Sequence, residues 1–161
     1  MKIHLIWAQD KNGGIGINGK LPWHISEDLK NFKTLTLNST IIMGRKTWDS
    51  MPIKPLPKRD NIVLSSTKQA GVATYDSLDN CLNQLKKQQL QKVFIIGGRS
   101  IYKMFFHLAD YLHISFIHII TDEVNEFFPI SLDKIQLEFK KKGSEELSEI
   151  VTYTYWEKKI N

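Results

Sequence analysis

The chain has 161 residues, 42% hydrophobic and 24% charged, which suits one soluble globular domain spanning 1–161 and excludes collagen-like, disordered and disulfide-stapled classes. Lys and Arg number 22 against 17 Asp and Glu, a formal charge of +5 with a pI of about 9.2, so anionic partners are expected: nucleic acid, a membrane surface or small polyanions. One cysteine, Cys81, cannot form an internal disulfide, no apolar run approaches the ~20 residues that cross a bilayer, and the N-terminus carries no signal-peptide pattern, so a reducing, cytoplasmic setting is expected.

Taken in chain order, Ile3 to Ala8 is a short apolar run that reads as a buried strand. Asn12 to Gly19 holds four glycines and reads as a loop. Ser26 to Leu37 predicts a helix, Thr40 to Met43 a second buried strand, and Lys46 to Met51 a short helix. Pro52, Pro55 and Pro57 mark a rigid loop. Asn61 to Ser65 and Val72 to Tyr75 read as strands. Ser77 to Gln88 reads as a helix with Leu78, Cys81, Leu82 and Leu85 on one face. Lys92 to Ile96 is a strand, Ser100 to Leu108 a helix and Tyr111 to Ile120 a long strand. The tail reads as an antiparallel pair, Ile135 to Phe139 and Ile150 to Glu157, around a polar connection that contains Lys140 to Lys142. Strands alternating with helices imply an α/β fold. The expected form is a mixed, mostly parallel sheet of about eight strands, a C-terminal antiparallel pair and about four flanking helices.

Gly14-Ile15-Gly16-Ile17-Asn18-Gly19 fits the dinucleotide pattern GxGxxG. Its context is wrong, because Lys20-Leu21-Pro22-Trp23 follows where a helix should open. The glycines read instead as a mobile surface loop, which beside a site can serve as a lid.

The helix at Ser26 carries the most telling side chain. At 100° per residue, and with Asp28 at zero, Phe32 falls at about 40° and Leu35 at about 340°, whereas Lys30 and Thr34 fall at about 200° and 240°. Asp28 thus lies within an apolar stripe. An acid in the first helical turn can be a dipole partner, but a carboxylate on the apolar face is costly without a partner. The alternative is an acid at the floor of a pocket, held for a polar ligand. Periodicity leaves both readings open, and the direction of its pKa shift is not set by sequence.

Two strand-to-helix corners suit phosphate: Met43-Gly44-Arg45-Lys46-Thr47 and Ile96-Gly97-Gly98-Arg99-Ser100. Ser65-Ser66-Thr67-Lys68 is a third candidate. Each alone fits an ordinary capped turn; together they point to a phosphate-rich ligand at the carboxyl ends of strands. The five histidines make no zinc spacing, so no metal is expected, and Cys81 reads as core rather than nucleophile.

These segments, in order and spacing over essentially the whole chain, resemble the dihydrofolate reductase family of bacterial chromosomal type. They are Leu5-Ile6-Trp7-Ala8, Ile15-Gly16 with Leu21-Pro22-Trp23, Asp28-Leu29 with Phe32-Lys33, and Ile42 to Ser50. Pro55-Leu56-Pro57 with Arg59 and Asn61, Leu64-Ser65-Ser66, Ile96-Gly97-Gly98 with Ile101-Tyr102, and Phe128-Pro129 complete the set. The resemblance implies reduction of 7,8-dihydrofolate to tetrahydrofolate with NADPH as cofactor, with no nucleic-acid or membrane partner. It implies sensitivity to antifolate inhibitors, and a monomer is the default.

It implies catalytic roles for Asp28, Trp23 and Leu21, with Asp28 gripping the pterin and promoting protonation at N5. Substrate contacts are implied for Ile6, Ala8, Leu29, Phe32, Lys33, Ser50, Leu56, Ile96, Tyr102, Ser115 and, on the glutamate carboxylate, Arg59. Cofactor contacts are implied for Ala8, Ile15, Gly16, Gly44, Arg45, Lys46, Thr47, Leu64, Ser65, Ser66, Ile96, Gly97, Gly98, Arg99, Ser100, Ile101 and Tyr102, with Arg45 and Ser66 near the 2′-phosphate. Gly97-Gly98 is expected to be a cis peptide, and Gly13 to Trp23 to be the loop over the nicotinamide.

Several positions depart from the family pattern. Ser115 replaces Thr, Arg99 replaces a third glycine, Ile53-Lys54 adds about one residue, and Val124-Asn125-Glu126 replaces Gly-Asp-Thr, which bears on loop closure. Two other readings compete. One is a related pterin or pyrimidine reductase, which Asp28, Arg59 and the Trp48 segment disfavour. The other is a basic nucleic-acid-binding domain, which would want basic residues interleaved with aromatics.

Overall fold

The computed structural model describes residues 1–18 and 20–160, and counts of elements refer to these. The chain runs β1 (Lys2–Gln9), β2 (Gly14–Gly16), α1 (Ser26–Thr36), β3 (Thr40–Gly44), α2 (Arg45–Ser50), β4 (Asp60–Leu64), β5 (Ala73–Tyr75) and α3 (Leu78–Lys87). It continues with β6 (Lys92–Gly97), α4 (Arg99–Phe105), a 3-10 turn (Phe106–Leu108), β7 (Tyr111–Ile117), β8 (Glu126–Phe127), α5 (Leu132–Glu138), β9 (Phe139–Ser148) and β10 (Val151–Lys158). Eight strands form one sheet in the order β5-β4-β3-β6-β1-β7-β10-β9. The strands from β5 to β7 are parallel, and β10 runs antiparallel to both β7 and β9.

The central strands are apolar along their whole length because both faces are covered. Leu5, Ile42, Val93 and Ile95 face the side packed by Cys81 and Leu85 of α3 and by Ile101, Tyr102 and Phe105 of α4. Ile6, Ile41, Met43 and Phe94 face the opposite side, with Trp48 of α2 and Phe32 and Leu35 of α1. Alternate residues of one strand thus serve two cores. Cys81 is fully buried, and desolvation pushes its thiol up to about 11, which keeps it an inert core residue.

The tail departs from the expected pattern. Ile135 to Phe139 is not a strand: Leu132–Glu138 is α5, a fifth helix where about four were expected. Ser131 caps it by accepting from the Lys134 amide at 3.2 Å, and only Ile135 reaches the core, whereas Leu137 is 75% exposed. One inward residue in seven imitates alternation when Leu137 and Phe139 follow. The polar stretch after it, Lys140 to Lys142 included, is not a connection but the outer strand β9, paired with β10. Its charges hide it in the sequence because an edge strand takes its order from the neighbour's backbone, and lysines there block further pairing.

Smaller shifts occur elsewhere. β7 stops at Ile117, the helix after β6 ends at Phe105 before a 3-10 turn, and Gly14–Gly16, expected as loop, pairs with Glu126–Phe127. Gly19, the last residue of the GxGxxG segment and part of the expected nicotinamide loop, lies outside the described residues.

Candidate active site

Asp28 and Ser115 define one end of the site. α1 begins without a side-chain cap, and Glu27 and Asp28 occupy its first turn. The hydroxyl of Ser115 on β7 lies by the Asp28 carboxyl and acts on its titration. Desolvation raises the Asp28 pKa above its ordinary value, and the Ser115 hydroxyl, which favours the ionised form, does not cancel it. Register places Ser115 directly opposite Ala8 of β1. Ala8 packs with Ile117 and Val151, against which Trp23 and Ile25 also lie. On the same side of the sheet, Ile6 meets Phe32, Leu56 and Ile96. The acid therefore stands at the end of an apolar face built from β1, β6, α1 and the segment after α2.

Not every expected residue is equally enclosed. Leu29 is 37% and Leu21 55% exposed, so Leu21 sits on the open loop rather than in the groove. Trp23 is half-buried, and its indole N–H is buried with no acceptor among the described residues. It is a donor suited to a ligand or a water.

Arg59 marks the other end of α1. Its Nε donates to the Pro57 carbonyl at 3.0 Å and its Nη1 to the Thr36 hydroxyl at 3.2 Å. Partial burial lowers its pKa, but a guanidinium remains charged. Asn61 holds the preceding turn, accepting from the Leu56 amide at 2.9 Å and donating to the Leu56 and Arg59 carbonyls at 3.0 Å each. Lys33 is exposed on the last turn of α1. The Ser50 hydroxyl donates to the Thr47 carbonyl at 2.8 Å. A groove of about 450 Å³ near Arg59 opens at the amino ends of β3 and β4, away from Asp28.

The two glycine corners meet where β3 and β6 lie side by side, with Met43 opposite Gly97. α2 leaves toward one face of the sheet and α4 toward the other, which opens a crevice at the strands' carboxyl ends. Gly97-Gly98 is a cis peptide, as expected, and Gly97 has φ +123. A Cβ on Gly44 would lie 2.9 Å from Cγ1 of Ile101, and one on Gly97 3.2 Å from the Tyr102 hydroxyl. Glycine is needed at both positions because α4 packs directly on them. Tyr102, fully buried, donates to the Ile6 carbonyl at 2.8 Å, and burial pushes its pKa far up, so it stays neutral. Arg45 and Lys46 are exposed at the start of α2, with Arg45 3.4 Å from Asp49. Leu64, Ser65, Ser66 and Ile101 line a cleft of about 190 Å³ with Asp76 and Ser77. Ser100 is exposed, and Arg99 donates to the Phe127 carbonyl at 2.8 Å.

In the loop between β1 and α1, Asp10 escaped the sequence reading, whereas Asn125 and Glu126 belong to the segment expected to bear on loop closure. Asp10 is buried, and its carboxylate accepts from the amides of Asn12, Gly14 and Thr121 at 2.9, 2.8 and 3.1 Å. The Asp10-Lys11-Asn12-Gly13 turn signal could have pointed to it. Asn125 accepts from the Asn18 amide at 3.0 Å and donates to the Asn18 side chain at 2.7 Å. Glu126 pairs in register with Gly16. Ile15, between the paired glycines, packs on the core below. Val124-Asn125-Glu126 thus joins this loop even though it departs from the usual pattern.

The comparisons agree with this geometry. The family model "Dihydrofolate reductase" matches residues 2–159. Dihydrofolate reductase of Buchnera aphidicola subsp. Acyrthosiphon pisum is 46% identical over 132 residues, 80% of each chain. That of Mycobacterium leprae is 41% identical over 112 residues, 66% of this chain and 67% of the relative. A solved structure of dihydrofolate reductase from Enterococcus faecalis, complexed with NADP(H) and RAB-propyl, superposes with a TM-score of 0.85 at 31% identity, covering 98% of this chain and 96% of that one. The chain belongs to the dihydrofolate reductase family.

Proposed function

We propose that this chain reduces 7,8-dihydrofolate to tetrahydrofolate with NADPH, and that the residues gathered around Asp28, Arg59 and the two glycine corners do this work. Membership of the family supports the reaction. The observation that carries the site is Asp28: a helix acid in an apolar surround, beside the Ser115 hydroxyl, with its pKa raised by burial. An acid so placed can hold a pterin's amino group and ring nitrogen and help deliver a proton to N5. Trp23 offers its indole N–H in the same region. Ile6, Ala8, Phe32, Leu56 and Ile96 exclude water around the reacting rings. Arg59, braced by Pro57 and Thr36, is positioned for the carboxylate of the substrate tail.

The donor set at the strand ends fits a dinucleotide. Arg45 and Lys46 bring positive charge, Thr47, Ser65 and Ser66 bring hydroxyls, and Gly97-Gly98 brings bare backbone. Bound there, NADPH would supply the hydride that passes from its nicotinamide to pterin C6. The chain's own part is to align the two rings and to place the acid. We further read it as a cytoplasmic monomer that binds neither membrane nor nucleic acid and is open to antifolates. Among the described residues no helix is long and apolar enough to cross a membrane.

The test is loss of reduced-nicotinamide absorbance with purified protein, NADPH and dihydrofolate. Dihydrofolate-dependent oxidation is expected, and its absence would refute the reading. A nucleic-acid-binding domain would instead bind bulk DNA with steep salt dependence and leave NADPH intact.

A further inference from the structure

Glu126 places a carboxylate beside the corner assigned above to the cofactor's phosphates. Its backbone is held in the β2–β8 ladder opposite Gly16, with the Asn125 amide donating to the Gly16 carbonyl at 3.2 Å and the Phe128 amide to the Gly13 carbonyl at 2.9 Å. From there its side chain reaches across to the cis peptide. Its Cβ and Oε1 lie 3.4 Å from the point where a Cβ of Gly16 would project. Its Oε2 lies 3.9 Å from the equivalent point on Gly98, and the Thr47 hydroxyl lies 3.7 Å from that same point. The carboxylate and a hydroxyl assigned to phosphate thus flank one backbone position. Arg99, the nearest guanidinium in sequence to this corner, is engaged with the Phe127 carbonyl.

We propose that Glu126 is a specificity-determining residue that opposes the cofactor's phosphates at the Gly97-Gly98 corner and so sets this chain's affinity for the dinucleotide. The ladder holds the Glu126 backbone in place, so the charge can leave only by side-chain rotation, and any phosphate that settles beside Gly98 meets it or displaces it. Like charges a few ångströms apart at a solvent-facing site repel measurably, and salt screens that repulsion. The inference rests on the cofactor reading above.

The experiment titrates NADPH against the wild-type protein, Glu126→Gln, Glu126→Thr and Glu126→Asp by tryptophan fluorescence, at low and high salt, with a thermal melt of each variant. The two uncharged variants are expected to bind NADPH about 3- to 10-fold more tightly at low salt, with the gap narrowing at high salt. Glu126→Asp, which keeps the charge, is expected to stay nearer the wild type. Equal or weaker binding by folded Gln and Thr variants overturns the proposal, as does a gain that ignores salt or is matched by Asp. No NADPH binding by the wild type would overturn the cofactor reading itself, a distinct result.

Discussion

The Ser115 hydroxyl on β7 sits by the Asp28 carboxyl on α1 and lowers the very pKa that burial raises. The hydroxyl therefore moderates the acid rather than creating its shift. Removing it in Ser115→Ala leaves desolvation unopposed, so the Asp28 pKa should rise further. The pH profile of hydride transfer in single turnovers should move to higher pH. A shift to lower pH, or none, would contradict the assignment.

Asp28→Asn separates activity from stability. Loss of the acid should slow hydride transfer by about 10²- to 10⁴-fold. Because the folded pKa is raised, Asp28 favours folding below the usual carboxyl pKa of 3.8, and that contribution is lost as pH rises through the folded pKa. At neutral pH the ionised group opposes folding, so Asp28→Asn should melt higher than the wild type there, with the difference shrinking in acid.

Arg59→Ala removes a guanidinium held ready by two hydrogen bonds. If it meets a carboxylate, a charge-assisted contact worth ~1.5–3 kcal/mol is lost, or about 10- to 100-fold in KM for dihydrofolate. The kcat and the NADPH dissociation constant should change little. Steady-state kinetics beside a cofactor titration distinguishes this from general damage.

Tyr102→Phe strips the Ile6 carbonyl of its partner in a fully buried place. The cost should be about 1–3 kcal/mol. Thermal melting should fall by several degrees, with a smaller change in the urea m-value.

A buried relay that the mechanism does not use should govern acid stability. The rings of His4 and His113 meet at 2.8 Å, and His113 meets the Tyr153 hydroxyl at 2.7 Å. Burial and Lys92 lower His4 to about 4 despite nearby Asp110, and burial, His4 and Lys92 lower His113 to about 3. The unfolded chain takes up protons below its histidine pKa of 6.5, which the folded pair declines until those lower values. Stability should therefore fall as pH drops from about 6.5 toward 4. Urea midpoints across that range should show it, and His113→Gln should flatten the slope.

The sequence by itself determined the strand-and-glycine corners, the two-faced central strands and the placing of Asp28 within an apolar stripe. Each is a property of one segment, legible as periodicity or as a turn residue. The opening charge of +5 also gained locations there, in Arg45, Lys46 and Arg59. Tertiary structure decided what depends on neighbours. The direction of the Asp28 shift needed the burial that tertiary packing imposes, with Ser115 from a distant strand only moderating it, and the anchoring of Arg59 needed Thr36. The outer strand β9 was invisible because its charged side chains answer to solvent while its backbone answers to β10. Glu126 gained meaning only once the ladder with Gly16 carried it to Gly98. Local pattern records which face an element buries, whereas the register and packing of separate elements decide which groups meet on that face.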